Sequence, residues 1–243
     1  MNSVTPTAKR AGLPWPQLTP GILVKRYKRF MADVRLKTGE TVVAHCPNSG
    51  RMTSCYEPGR NVYLSYHDNP RRKLKYTWEL IEMPSSLVGV NTLVPNRLAA
   101  HSIEMGQVES LRGYDSIKKE VKVGKHTRLD MVLQKDVRNQ CYVEIKNCTL
   151  VVDGIAQFPD AVTARGLKHL ETLRQLVSDG YRSVIFYLIQ RTDATLFKPA
   201  DSIDPAYGKA LRRATADGVE ILVYDVHINL QTIKLNQEIP YIL

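Results

Sequence analysis

No apolar run in the 243 residues approaches the length that spans a membrane, and Met1 to Lys9 lacks the hydrophobic stretch of a secretory signal. Both absences point to a cytoplasmic address, the nucleoid included, and to no membrane partner. The four cysteines, Cys46, Cys55, Cys141 and Cys148, form no Cys-x-x-Cys pair and no zinc-ribbon spacing. They read as reduced, mostly buried thiols. Repeats and low-complexity segments are missing as well. Acidic residues fall short, with 24 Asp and Glu against 34 Lys and Arg, a net charge of +10 and a pI near 9.4. In a globular composition that surplus favours a polyanionic partner, nucleic acid first. A chain of this length buries a core without staples.

What is present falls into two regions. Residues 1–20 carry Pro14, Pro16 and Pro20 and are predicted as an extended lead-in, with Leu13-Pro14-Trp15-Pro16 placed to dock on the surface. Over residues 21–84, short runs bounded by Gly and Pro are predicted as strands at 22–27, 30–36, 41–45, 61–66 and 75–83. With little helical periodicity, they make a small antiparallel barrel whose length suits the oligonucleotide-binding type. Met83-Pro84-Ser85-Ser86 reads as the boundary to a second domain over 85–243.

Lys25, Arg26, Lys28 and Arg29 interleave with Tyr27 and Phe30. Such a stretch contacts phosphates while its rings stack on bases, and it equally suits a solvated barrel edge protected from edge pairing. Arg71-Arg72-Lys73 with Lys75 forms a basic loop, solvated or bound to nucleic acid. Cys46-Pro47-Asn48-Ser49-Gly50-Arg51-Met52 breaks every regular pattern. It is a turn, structural or with amides and Arg51 turned to an anion.

The second region reads helix (94–108), three strands, helix (161–178), strand (182–189), helix (205–216) and strand (219–224), an α/β sandwich on a mixed sheet. Its pivotal stretch is Arg128-Leu129-Asp130-Met131-Val132-Leu133-Gln134, a polar break, and Cys141-Tyr142-Val143-Glu144-Ile145-Lys146-Asn147-Cys148. The period of two puts Val143 and Ile145 on one face and Glu144 and Lys146 on the other. If the strands pair, Asp130 joins that second face. Two hard oxygen ligands beside one ammonium fit a phosphodiester-cleaving site, although the same residues also suit a solvated strand face.

The first strand of the three puts Lys118, Glu120 and Lys122 on one face. In the second helix Pro159 is expected at the start and Asp160 in the first turn, where the dipole favours a carboxylate. Arg165, Lys168 and His169 follow, and Arg165 and His169, four apart, face the same way. They form an exposed helix face or a grip on the scissile phosphate. Gln190-Arg191 end the apolar run of 182–189, where site residues often gather.

The Asp130, Glu144-x-Lys146 spacing in this element order resembles the PD-(D/E)xK nuclease superfamily. More specifically, Lys25-Arg26-Tyr27-Lys28-Arg29-Phe30, Cys46-Pro47-Asn48-Ser49-Gly50, Thr77-Trp78-Glu79-Leu80, Val90-Asn91-Thr92-Leu93, Val143-Glu144-Ile145-Lys146 and Phe158-Pro159-Asp160-Ala161-Val162 through Lys168-His169-Leu170 resemble the sugar fermentation stimulation protein A family from about Gly21 onward. That resemblance implies an oligonucleotide-binding-like barrel fused to a nuclease-like domain that binds DNA without sequence preference. Single-stranded or branched forms are included, and RNA is a further candidate.

The same resemblance places metal ligands on Asp130, Glu144 and the Ile145 carbonyl, and the catalytic lysine on Lys146. Leu129 stands where the superfamily name has Pro. Glu120 and Glu104 are candidates for the helical acid of some relatives. Two functions follow: a Mg2+- or Mn2+-dependent nuclease, or a non-catalytic DNA-binding regulator linked to sugar, especially maltose, metabolism. Family members have been described with a helix-turn-helix, which would fall on 210–229 here. The strand-favouring Val219, Ile221, Leu222 and Val223 leave no room for its second helix.

Overall fold

The computed structural model describes residues 12–124 and 127–243. Residues 1–11 of the predicted lead-in therefore lie outside the described residues. Strand β1 (Leu13–Pro14) comes first, followed by β2 (Leu18–Tyr27), β3 (Met31–Leu36), β4 (Thr41–His45), β5 (Asn61–Tyr66), β6 (Tyr76–Met83) and β7 (Ser86–Gly89). The last six form one sheet in the order β4-β3-β2-β5-β6-β7, and a parallel contact of β4 with β6, Ala44 to Tyr76 and His45 to Thr77, closes five of them into a barrel. Alternation explains the closure, since Val34, Ala44, Val62, Leu64, Trp78 and Ile81 all point inward and are buried. Each large side chain among them contributes roughly 2 kcal/mol by leaving water.

Residues 83–86 are not the boundary predicted from the sequence. They make the tight turn of the β6–β7 hairpin, Met83 facing Ser86, so the barrel sheet runs on to Gly89. Similarly, β2 begins at Leu18, inside the predicted lead-in, while Leu13 and Pro14 pair with residues 233 and 232.

The remainder contains α1 (Val94–Glu104), β8 (Ser116–Val123), β9 (Thr127–Gln134), β10 (Gln140–Cys148), β11 (Leu150–Val152), β12 (Ile155–Phe158), α2 (Ala164–Ser178), β13 (Arg182–Ile189), β14 (Leu196–Pro199), α3 (Pro205–Ala216), β15 (Glu220–Ile228) and β16 (Thr232–Glu238). Seven strands form a mixed sheet, β1-β16-β15-β13-β10-β9-β8, in which β10, β13 and β15 are parallel. β13 sits at its centre and is buried on both faces, as a continuous apolar run requires. α1 and barrel residue Leu80 cover one face, and α2 and α3 cover the other. Where a helix-turn-helix would fall, α3 leads directly into strand β15.

Two helix ends differ from expectation. α1 stops at Glu104 rather than 108, because Gly106 takes a φ of 67° and donates to Ile103 O. α2 starts at Ala164, not 161. The Thr163 hydroxyl caps it by accepting from Gly166 N at 3.0 Å, which leaves Pro159 and Asp160 in the preceding loop.

Barrel and sheet meet along a hydrogen-bonded seam. Gly89 N donates to Gln190 O at 2.8 Å, and the Arg191 guanidinium donates to Ser54 O at 3.2 Å and Thr149 O at 2.9 Å. The Ser54 hydroxyl donates to Thr149 O and accepts from Val151 N, both at 3.0 Å. These bonds fix the wall of the cleft described next.

Candidate active site

β9 and β10 pair antiparallel through Tyr142–Val132 and Val143–Met131. The pairing ends there, and Asp130, the next residue of β9, lines the same cleft as Glu144 and Lys146. The Ile145 amide donates to Asp130 Oδ2 at 2.7 Å, and Asn96 of α1 donates to Oδ1 at 2.7 Å. Burial first, and the Glu144 charge second, push the Asp130 carboxyl up to about 6, against the opposing pull of those two donors and Lys146.

Glu144 is only 2% exposed and Lys146 9%. Lys146 Nζ donates to Glu144 Oε1 at 2.6 Å and lies 3.3 Å from His169 Nδ1, which itself contacts Glu144 Oε1. Burial raises the Glu144 pKa, but His169 and Lys146 outweigh it and hold the carboxyl below its usual value. Glu144 is thus an ion at neutral pH, and its Oε2 is buried without a hydrogen-bond partner.

This cluster forms the floor of a cleft of about 830 Å³ between barrel and sheet. Arg29, Arg51 and Arg165 stand exposed on its lining. Asp160 also lines it and accepts from Met52 N at 3.0 Å, tying the α2 approach to the 46–52 turn. Arg26 lines it too, yet its guanidinium is occupied by Asn48 O at 2.7 Å, Gly50 O at 3.0 Å and Arg29 O at 2.9 Å. It braces the turn with three of its five N–H groups.

Several residues singled out in the sequence stand elsewhere. Lys25 pairs with Asp33 at 3.6 Å and lies 5.5 Å from the Tyr27 ring centroid. Lys25, Tyr27, Lys28 and Lys168 are outside the cleft lining. His169, 3% exposed, is turned onto Glu144 and Lys146 and is closed to nucleic acid; the spacing of four told that it stands beside Arg165, whose Nε donates to its Nε2 at 3.4 Å, not that the imidazole is buried beneath it. Glu120 pairs with Arg128 at 3.6 Å on the exposed edge strand, at a φ of 54° that breaks the alternation expected of it. Glu104 pairs with Lys119 at 3.8 Å. Neither lines the cleft. Gln190 and Arg191 serve the seam. Sequence reasoning missed Asn96, whose type and position in a first helical turn carry no signal of the carboxylate it meets across the fold.

The donor set suits a hard divalent cation. Among the described residues no three His, Cys, Asp or Glu side chains gather as a metal cage. Two carboxylates, one with an unpartnered buried oxygen, would share the ion with the Ile145 carbonyl, water and phosphate oxygens, the sparse protein ligation that Mg2+ accepts.

A closed barrel joined to a mixed-sheet α/β sandwich, with acid and lysine on adjoining strands, defines an oligonucleotide-binding barrel fused to a restriction-endonuclease-like domain. Comparison with known proteins agrees: a model described as the "SfsA N-terminal OB domain" matches residues 24–90, and one described as "Sugar fermentation stimulation protein RE domain" matches 93–232. The chain belongs to the sugar fermentation stimulation protein family. A homologue of that name from Geobacter sulfurreducens is 50% identical over 228 residues, covering 94% of this chain and 97% of its own. Another from Nitrosococcus oceani is 51% identical over 226 residues, covering 92% and 96%. The solved structure of Pyrococcus furiosus SfsA in complex with Ca2+ is 27% identical, covers 96% of this chain and 100% of its own, and superposes with a TM-score of 0.88.

Proposed function

We propose that the protein is a DNA-binding, Mg2+- or Mn2+-dependent phosphodiesterase without sequence preference. The observation that carries this reading is the convergence of Asp130, Glu144 and Lys146 on the floor of a cleft rimmed by Arg29, Arg51 and Arg165. The Ca2+ of the Pyrococcus furiosus relative supports a hard-cation site in the family. Asp130, Glu144 and the Ile145 carbonyl would hold the ion. When bound, it would lower the pKa of its water and offset charge gathering on the phosphate. The three exposed arginines would grip phosphates on either side of the reacting one. Lys146 Nζ would orient the attacking water and take part in its deprotonation, with His169 keeping Lys146 and Glu144 in register. Asn96 and the Ile145 amide would fix the Asp130 rotamer.

The test is cleavage of labelled single-stranded, duplex and branched DNA in Mg2+, Mn2+ or EDTA by wild type, Asp130→Ala and Lys146→Ala. Metal-dependent cutting lost in both variants, with binding retained, is the expected result. Binding of DNA with no cutting of any substrate would replace this reading by that of a non-catalytic regulator linked to sugar metabolism.

A further inference from the structure

Across a thin wall from the cleft lies a second hollow of about 430 Å³, within the range of small-ligand sites. The wall is knit by Thr92, whose amide and hydroxyl both donate to Pro47 O, at 3.2 and 2.6 Å. Pro47 and Asn91 face the hollow, while Asn48 and Thr92 face the cleft. The first turn of α1 is shared in the same manner, with Asn96 lining the cleft and Arg97 lining the hollow.

The lining has a distinct chemistry. Trp15 is half-buried and rigidly held, its indole N–H donating to Asn229 O and its amide to Gln231 O, both at 2.9 Å. Its ring, partly buried against the sheet core, lines the hollow with no polar bond left to satisfy. Arg72 gives one N–H to Thr77 Oγ1 at 2.9 Å, and Arg97 is exposed. Neither guanidinium is in an ion pair among the described residues. The lone carboxylate, Glu79, is 5% exposed and already engaged by the Ser65 hydroxyl at 2.6 Å and Asn91 Nδ2 at 2.7 Å. His45 and His67 line it as well, beside apolar residues that include Leu93 and Ile233. Burial, then Arg72, lowers the pKa of each, so both are neutral imidazoles that can donate and accept. Two unpaired guanidiniums beside an indole are the complement of one nucleotide, with phosphate on the cations and base on the ring.

We propose that this hollow binds a single nucleotide of an unpaired strand whose neighbouring phosphodiester lies in the cleft, Trp15 stacking the base and Arg72 and Arg97 holding its phosphate. The adjacency to a reacting phosphodiester rests on the phosphodiesterase reading, whereas the nucleotide site stands on its own chemistry. A base that can reach Trp15 is unstacked from its partner strand, so the substrate class is single-stranded or carries an unpaired tail.

The experiment uses tryptophan fluorescence of the full chain. The chain has two tryptophans. Trp78 is fully buried in the barrel, its indole N–H bonded to Leu80 O, so quenching by ligand reports Trp15. The probes are thymidine 5′-monophosphate, inorganic phosphate and a ten-residue oligothymidylate. Expected are saturable quenching by the mononucleotide, tighter quenching by the oligonucleotide, and loss of both signals in Trp15→Phe. Arg97→Gln and, independently, Arg72→Gln should each weaken mononucleotide binding about tenfold or more, with unchanged unfolding midpoints. Phosphate binding as well as the mononucleotide would overturn the stacking platform. An oligonucleotide that binds no tighter than the mononucleotide would overturn the shared strand. Absence of quenching alongside intact metal-dependent cleavage would sink the hollow and leave the cleft standing; quenching without cleavage by any metal would do the reverse.

Discussion

Asp130→Asn should make the metal-free protein more stable at neutral pH, although it removes a charged group from the centre of the site. The carboxyl protonates near 3.8 in a model peptide and at about 6 in the fold, raised first by burial and next by Glu144. Between those values the native state holds a proton that the unfolded chain has released, so stability falls as pH rises through this window. Below pH 4 the carboxyl costs nothing. Above pH 6 it imposes its full penalty, at most about 3 kcal/mol for a shift of about two units.

Solvent at the cleft mouth reduces that to about 1–2 kcal/mol. Asparagine has the same shape. Its oxygen can keep the Ile145 amide, and its NH2 can donate to Asn96 after that side chain turns its amide over. Urea unfolding in EDTA from pH 4 to pH 8 should show variant and wild type coinciding at the acid end and the variant gaining as pH rises. On the proposed hard-cation site, added Mg2+ should then stabilise wild type and leave the variant unmoved, because that site needs both carboxylates of the folded chain. A variant less stable than wild type at pH 8 in EDTA would refute the reasoning, since the carboxylate would then be stabilising without a cation.

Gly50→Ala would drive a methyl into the Asp160 carboxylate and detach it from Met52 N. A loss of about 1–2 kcal/mol in thermal unfolding and weaker DNA binding, as Arg51 shifts, are expected. Arg191→Met leaves the Asp193 carboxylate, now bonded at 2.6 Å, without its cation and with the Ser85 hydroxyl alone, and unties Ser54 and Thr149. Urea midpoints should fall by an equivalent of about 3–5 kcal/mol. All four thiols are buried and free, and burial pushes Cys55, Cys141 and Cys148 up to about 12. A disulfide reagent should therefore label none of them in the native protein and all of them in urea, and rapid labelling of two or more without denaturant would contradict the packing.

The legible parts of this fold were those in which one local rule dominates. β13 is apolar at six successive positions, and only a central strand buries such a run. Glu144 and Lys146 were legible because strand alternation puts them on one face, whereas Asp130 is held beside them by the Ile145 amide and Asn96 where the alternation of β9 breaks. β16, with Ile233 and Leu235 alternating, carried the same signal and was passed over. The three- and four-residue strands β7, β11, β12 and β14 are too short for a period to register. Pro159 gave an early start for α2 because it is a good first-turn residue, but the Thr163 hydroxyl supplied the cap and prevailed. His169 and Asn96 owe their roles to contacts across 25 and 34 residues of chain, which no local pattern encodes.

The seam between barrel and sheet bears on how such a protein can be rebuilt. Gly89 cannot acquire a side chain without displacing Gln190, and the Ser54 hydroxyl is shared by Arg191, Thr149 and Val151. A barrel borrowed from another two-domain protein would arrive without these fittings, and the cleft would lose the part of its lining that carries Arg29 and Arg51. Barrel and sheet are therefore one mechanical part, and a change at 54, 89, 190 or 191 disturbs both of them at once.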